Sequence, residues 1–198
     1  MAKDQQDTRS EILNVAREQF IAHGYDGARL QTIADGIGVT KAMIHYYFNT
    51  KQELFEQVYR RSAEQIFGKL SDTLDSDEVL FKKIESLIED CLQIAKNEPE
   101  VVSFVITEGT RKADWLQPAM EDQITVDLQG FDEELQKAAS NYQIAAVDAH
   151  VLLIQIFSLC YYPVLSRNIN RSLFKEAVDE EMPSKGIVMD TILNWLTA

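Results

Sequence analysis

The chain is poor in cysteine, proline, glycine and histidine: of its 198 residues, 2 are Cys, 4 Pro, 8 Gly and 3 His. Two cysteines cannot staple a small secreted domain. Cys91 and Cys160 both lie in apolar helical patterns, so the expectation is two buried free thiols in a reducing cytosol. His23, His45 and His150 are far apart and have no Cys or His neighbours at metal-ligand spacing, so neither a metal nor a cofactor is expected. There is no glycine-rich phosphate loop and no nucleophile elbow, and acidic pairs such as Glu133-Glu134 and Glu180-Glu181 read as solvated surface. The expectation is therefore a protein that is not an enzyme. Clustered β-branched runs between turn residues are also missing, which argues against strands. The longest apolar run, Val151–Leu165, is interrupted by Gln155 and Ser158 and falls short of the roughly 20 residues a membrane span needs. Residues 1–10 are polar, with no apolar run behind a basic start. The reading is cytoplasmic, with no membrane partner.

What is present is helix-forming. The chain is 45% hydrophobic, rich in Leu, Ile, Ala, Glu, Gln and Lys, and shows no internal repeat. The fold class read from this is all-α: an N-terminal three-helix head over residues 1–52 and a helical body over 53–198. Charge divides the same way. In residues 1–51, Lys3, Arg9, Arg17, Arg29, Lys41 and Lys51 balance Asp4, Asp7, Glu11, Glu18, Asp26 and Asp35, so the whole net charge of −13 belongs to the remainder. A neutral head on an acidic body can approach phosphate at one end only. The acidic body also serves solubility.

The spacing predicts a first helix over Thr8–His23, with Thr8 and Glu11 as a capping box and Gly24 as its stop. A second helix covers about Arg29–Gly36, with Leu30, Ile33 and Ala34 inward and Gly36 closely packed. Gly38 makes a turn, and Thr40 caps a third helix to about Tyr46, closed by Phe48. Thr50 caps a fourth, reaching Leu70 or Thr73. The body continues with helices over Glu78–Lys96, Glu100–Thr110, Pro118–Ser140 and Ala145–Leu165, where Pro163 should kink or end the last. A charged connection over Arg167–Pro183, with a short helix at Ser172–Asp179, leads to a final helix capped by Ser184.

Two short helices joined by a glycine-bearing turn match helix-turn-helix geometry, whose second helix enters the major groove. On a helical wheel Val39, Ile44 and Phe48 point inward. Lys41, Ala42, His45 and Tyr46 share the outer side: a cation, a small residue that permits close approach, and two aromatic hydrogen-bonding groups. Such a face suits phosphates flanking a groove and a few base edges.

At these residues the chain resembles a known family. Ile12-Leu13, Ala16, Phe20, Gly24-Tyr25, Ile33-Ala34, Gly38-Val39-Thr40-Lys41, Tyr46-Tyr47-Phe48 and Lys51-Gln52-Glu53-Leu54, in this order and spacing, are similar to the DNA-binding domain of the tetracycline-repressor (TetR) family. The resemblance covers about a quarter of the chain. It implies double-stranded DNA with a palindromic operator as partner, and contacts from Thr40, Lys41, Ala42, Tyr46, Tyr47 and Lys51. His45 stands where a DNA-contacting tyrosine is usual, and Ala28-Arg29 replace the usual Thr/Ser pair, so Arg29 becomes a phosphate or base candidate. Tyr46 and Tyr47 also fit packing in the head, and Lys41 and Lys51 also fit solvated lysines.

The resemblance further implies a homodimer in which the last two long helices pair with their mates as a four-helix bundle. The apolar load of Val147, Val151, Ile154, Phe157, Ile192 and Trp195 exceeds what one face of a monomer core requires. It also implies a small-molecule effector pocket in the body. Candidate lining residues are Phe67, Cys91, Phe104, Trp115, Met120, Phe131 and His150, each of which also fits plain core packing. An apolar or amphipathic effector suits them. The reading is a dimeric, ligand-responsive DNA-binding repressor. The alternatives are a helical protein-interaction protein and a carrier of apolar ligands whose head is non-functional.

Overall fold

Helix formers separated by isolated glycines and polar caps set the element order seen in the computed structural model. It describes residues 2–121, 126–174 and 182–198, with side chains from residue 6 and without those of 119–121. Among the described residues every regular element is helical: α1 (Ala2–Gly27), α2 (Leu30–Ile37), α3 (Lys41–Phe48), α4 (Lys51–Phe67), α5 (Leu70–Leu74), α6 (Leu80–Asn97), α7 (Pro99–Arg111), α8 (Ala113–Glu121), α9 (Gln129–Ser140), α10 (Ala149–Phe174) and α11 (Lys185–Thr197). The chain folds as two units. The first takes residues 1–65 and 103–125, the second 66–102 and 126–198. The sequence division at residue 52 follows the DNA-binding motif, whereas the first unit also takes in most of α4, the C-terminal part of α7, and α8.

In the first unit the apolar stripe of α1 (Ile12, Leu13, Ala16, Phe20) is buried with Leu30, Ile33 and Ala34 of α2, Ile44 and Phe48 of α3, and Leu54, Phe55, Val58 and Tyr59 of α4. Phe55 is the hub. Its ring meets Phe20 at 4.8 Å, Tyr25 at 5.1 Å, and Phe104 and Trp115 each at 5.6 Å. Two expectations for α1 are corrected. The helix begins at Ala2, since no proline or glycine precedes Thr8 to prevent it. Gly24 (φ 65°, ψ −178°) breaks the helix but does not stop it, and one further turn runs to Gly27. Gly36 packs closely, as expected: a Cβ there would lie 3.0 Å from Val15 Cγ1.

The second unit is built on α6, which packs against α5, α10 and α11, while α10 also packs on α9 and α11. Its core includes Ile84, Leu87, Ile88 and Cys91 of α6, Leu152, Ile156, Cys160 and Tyr161 of α10, Phe131 and Leu135 of α9, and Val188, Ile192 and Leu196 of α11. Lys83, buried on α6, donates to Leu74 O at 2.7 Å and to Glu134 Oε1 at 2.6 Å, tying α5 and α9 to α6. A buried ammonium needs such partners.

Four body expectations are also corrected. The helix expected to run from Thr50 to Leu70 or beyond ends at Phe67, with α5 separate after a Gly68-Lys69 turn. The single helix expected over Pro118–Ser140 is two, because 126–128 are non-helical and Asp127 Oδ1 accepts from Gln129 N at 2.9 Å where α9 begins. Ile124 of that stripe lies outside the described residues. Pro163 does not end α10, which continues to Phe174. The helix starts four residues later than expected, where Asp132 Oδ1 accepts from Ala149 N at 2.6 Å. By length and composition α10 could cross a bilayer, unlike the shorter run foreseen. Its inner face, however, is core of the second unit. The short helix foreseen at Ser172–Asp179 falls partly at 175–181, outside the described residues, as does Glu180-Glu181. Ser184 caps α11 as foreseen, accepting from Ile187 N at 3.3 Å.

Candidate nucleic-acid interface

The turn between α2 and α3 is set by Gly38, whose φ of 69° places it in the left-handed region. Its N–H donates to Asp35 O at 3.3 Å and the Val39 N–H to Ala34 O at 3.0 Å, so the last carbonyls of α2 are satisfied while the chain reverses. Thr40 then caps α3, its hydroxyl accepting from Met43 N at 3.3 Å. Ile44 and Phe48 are buried and Val39 half-buried, whereas Thr40, Lys41, Ala42, His45 and Tyr46 are exposed. Tyr46 is the most open, at 69%. Tyr47 is half-buried and meets Tyr46 edge-on at 5.1 Å. The outer face of α3 thus presents a cation, a small residue, an imidazole and a phenol to solvent.

The flanks of this face are held by contacts that the sequence does not announce. Arg9 of α1 donates to Gln57 Oε1 of α4 and lies 5.0 Å from the centre of the Phe48 ring, fixing the end of α3 between two helices. Thr50 caps α4 by accepting from Glu53 N at 3.0 Å. The Glu53 carboxylate accepts from Asn49 Nδ2 at 2.9 Å. Lys51 is half-buried. Its Nζ donates to Ala28 O at 2.6 Å and lies 4.7 Å from the Tyr25 ring centre. Burial pulls the Lys51 ammonium below its ordinary pKa, against the raising influence of Asp26. Arg29 is exposed and precedes α2 without a side-chain cap. Arg29, Thr40, Lys41, Ala42, His45 and Tyr46 are therefore all solvent-facing, with Tyr47 and Lys51 partly enclosed.

Behind the motif, Tyr25 is clasped by Phe55, Trp115, Lys51 and Lys112, the last at 5.3 Å. Lys112 also pairs with Asp26 at 2.9 Å, which holds that carboxyl below its ordinary range. Glu108, 4% exposed, accepts from Tyr25 N at 3.3 Å. Tyr59 donates to Val105 O at 3.1 Å, and its burial, with Glu108 beside it, pushes its hydroxyl up to about 12.

The candidate effector residues are divided between the two units. Phe104 and Trp115 belong to the first unit, where both pack on Phe55. Phe67, Cys91, Phe131 and His150 belong to the second. There Phe67 meets Phe157 at 5.6 Å, Phe131 is buried and His150 is exposed. Cys91 and Cys160 are both buried free thiols; their mutual hydrogen bond and burial push Cys160 up. The side chain of Met120 lies outside those described. A half-open groove of about 680 Å³ in the second unit is lined by Glu89, Leu92, Gln93, Lys96 and residues 182–185, none of them foreseen. Most of these sit on the polar side of α6 or at the cap of α11, which in sequence resembles any solvated surface. Of the residues expected at a dimer face, Ile154 and Trp195 are exposed, Val147, Val151 and Phe157 half-buried, and Ile192 lies in the core.

Residues 12–58 match the family model described as bacterial regulatory proteins, tetR family. The chain is 25% identical over 151 residues to the HTH-type transcriptional regulator RutR of Escherichia coli (strain K12), covering 74% of this chain and 69% of that protein. Two solved structures share its fold. FadR of Bacillus subtilis in complex with stearoyl-CoA has TM-score 0.67 and 16% identity, covering 94% of this chain and 98% of that one. The ketosteroid regulator KstR2 of Mycobacterium tuberculosis has TM-score 0.67 and 16% identity, covering 96% and 95%. Joined to an exposed α3 face on a capped helix-turn-helix, the family-model and sequence matches identify residues 12–58 as a DNA-binding head of the tetR family of bacterial regulatory proteins, on a chain that is a DNA-binding regulator of transcription.

Proposed function

We propose that the chain is a dimeric cytoplasmic repressor that leaves a palindromic operator when a small apolar or amphipathic molecule binds its body. The observation that carries the reading is the division of α3, whose Ile44 and Phe48 are buried while Lys41, Ala42, His45 and Tyr46 face solvent. In this reading those four residues, with Arg29, Thr40, Tyr47 and Lys51, meet the DNA. The acidic body turns the head toward the duplex.

Pairing is supported by the apolar side chains left open on the last two helices, among them Ile154, Ile169 and Leu173 of α10 and Ile187 and Trp195 of α11. Two heads then read two half-sites roughly a helical turn apart. The effector class is supported by FadR, solved with stearoyl-CoA, and by KstR2, a ketosteroid regulator. Phe67, Cys91 and Phe131 of the second unit are the residues proposed to meet it, with His150 the most peripheral. An effector acts by favouring a conformation that misfits the operator.

The test is selection from a random duplex pool by the full chain, followed by a salt series on the winning sequence. A palindromic winner whose affinity falls steeply with salt is the expected result. Enrichment of no sequence, or binding indifferent to salt, removes the reading.

A further inference from the structure

We propose that His45 reads the edge of one base pair through a single ring nitrogen whose hydrogen-bonding sense reverses with pH. The inference rests on the DNA-binding reading of α3 and adds a specificity-determining residue to it.

His45 Nδ1 lies 2.8 Å from the backbone oxygen of Asn49. A carbonyl oxygen only accepts, so Nδ1 carries a hydrogen in the neutral ring as well as in the protonated one. The acceptor is itself held. Asn49 ends α3 with φ 42°, and its Nδ2 donates to Glu53 Oε2 of α4 at 2.9 Å. The neutral imidazole is therefore locked as a single tautomer, and Nε2 is the atom left for a partner. His45 is exposed, as are Lys41, Ala42 and Tyr46, whereas Ile44 and Phe48 are buried.

The two protonation states of such a ring seek opposite partners. Neutral, Nε2 is an acceptor and complements the amino groups that cytosine and adenine present in the major groove. Protonated, it is a donor and complements guanine N7 or O6, thymine O4, or a phosphate oxygen. The added charge also displaces one more counterion. Imidazole as a class changes state between about pH 5 and 8, so both senses fall within a range DNA and protein tolerate.

Every element around α3 carries ionisable groups. On α3 itself they are Lys41, Tyr46 and Tyr47, and on α2 and its cap Asp35 and Arg29. The first turn of α4 carries Lys51 and Glu53, with Glu56, Tyr59, Arg60, Arg61 and Glu64 further along it, and α1 brings Arg9 to the Phe48 ring, its other charged residues lying on its remaining turns. Gln31 holds Asp35 at 2.7 Å, Asn49 holds Glu53, the Ala28 carbonyl holds Lys51, and Gln57 with the Phe48 ring holds Arg9. None of these contacts engages Nε2.

The experiment uses the full chain and a duplex enriched from the random pool at pH 7. Affinity is measured by fluorescence anisotropy at pH 8.0 and 5.5, at fixed ionic strength, across single-base variants of one half-site. At one position the wild type is expected to favour a cytosine or adenine edge at pH 8.0 and a guanine or thymine edge at pH 5.5, with a reversal on the order of tenfold. The salt slope should steepen by about one per bound head at the lower pH. His45→Phe should bind the same duplex with no pH-dependent preference there, and His23→Gln should behave as wild type. Imidazole NMR of the DNA-free protein should find the neutral ring protonated at Nδ1. Preferences identical at both pH values, a reversal that survives in His45→Phe, or a neutral ring protonated at Nε2 overturns the inference while leaving the DNA-binding reading standing. Failure to enrich any duplex removes both.

Discussion

The Glu108 carboxylate occupies the space that a side chain on Gly24 would need: a Cβ at Gly24 would lie 2.7 Å from Glu108 Oε1. This joins α7 to the break in α1, just ahead of the helix-turn-helix. The backbone at Gly24 (φ 65°, ψ −178°) belongs to a region that essentially only glycine enters. Gly24→Ala is expected to destabilise the first unit by about 1–3 kcal/mol from backbone strain, before the displaced carboxylate is counted. Glu108→Ala removes the acceptor for Tyr25 N–H but makes room, so the double variant should cost less than the two single costs added together. Trp115 fluorescence during urea unfolding, in a Trp195→Phe background, follows this unit. A Gly24→Ala protein as stable as wild type contradicts the assignment.

Acid should act on the second unit through Glu85. This carboxylate accepts from Lys82 Nζ at 2.8 Å and from Lys185 Nζ at 2.9 Å, which together hold its pKa down from the ordinary 4.5 to about 2. As pH falls below 4.5 the unfolded chain takes up this proton before the folded one does. The stabilisation is thus complete above about pH 4.5 and is lost on the way down to about pH 2. The carboxylate keeps 30% of its side-chain surface open to solvent, so the effect is small. The stability difference between wild type and Glu85→Gln, followed by Trp195 fluorescence, should be constant near neutrality and vanish toward pH 2. A difference that persists unchanged to pH 2 would mean that the two lysines do not hold this carboxylate.

What was legible in the sequence was local. The caps at Thr40, Thr50 and Ser184 and the inner and outer faces of α3 follow from side-chain chemistry within one turn. What was not legible depends on partners far along the chain. Lys51 reads as a phosphate contact, but its bond to the Ala28 carbonyl needs the fold of α1 and α2. Arg9 carries no signal of its role, since Gln57 is 48 residues away. Pro163 should end a helix at a cost of roughly 3 kcal/mol. It does not end α10, because Leu152, Ile156, Cys160 and Tyr161 before it and Ser166 after it are all buried, and their packing outweighs that cost. The effector candidates share apolar character at helical spacing. That spacing tells which face is buried and not which neighbour receives it, so Phe104 and Phe131 fall in different units.

The open apolar side chains of α10 and α11 should set the oligomeric state. Ile154 is 57% exposed and Ile187 63%. A glutamate at either position adds little cost to an isolated chain and a large one to an apolar interface. Ile154→Glu and Ile187→Glu are expected to sediment as monomers. Loss of the second head should then weaken operator binding on the order of 100-fold, while circular dichroism stays as in wild type. Variants that remain dimeric would place the interface elsewhere.

The DNA contacts proposed for Lys41 and Lys51 can be told apart. Lys41 is exposed at the start of α3, and Lys41→Ala should lower the salt slope of binding by about one per head and change stability by no more than about 0.5 kcal/mol. Lys51 also serves the fold. Its ammonium bridges the Ala28 carbonyl and the Tyr25 ring, fixing the start of α2 against α4. An ammonium has three hydrogens, and one is used on Ala28, so a phosphate oxygen can take another. Lys51→Ala should therefore lower the salt slope by about one and also destabilise the first unit by about 1.5–3 kcal/mol, the usual worth of a hydrogen bond to a charged group. Measuring both quantities on both variants distinguishes the roles. A Lys51→Ala protein that is destabilised but keeps its salt slope would make Lys51 a clamp on the fold and leave the phosphate contacts to Lys41 and Arg29.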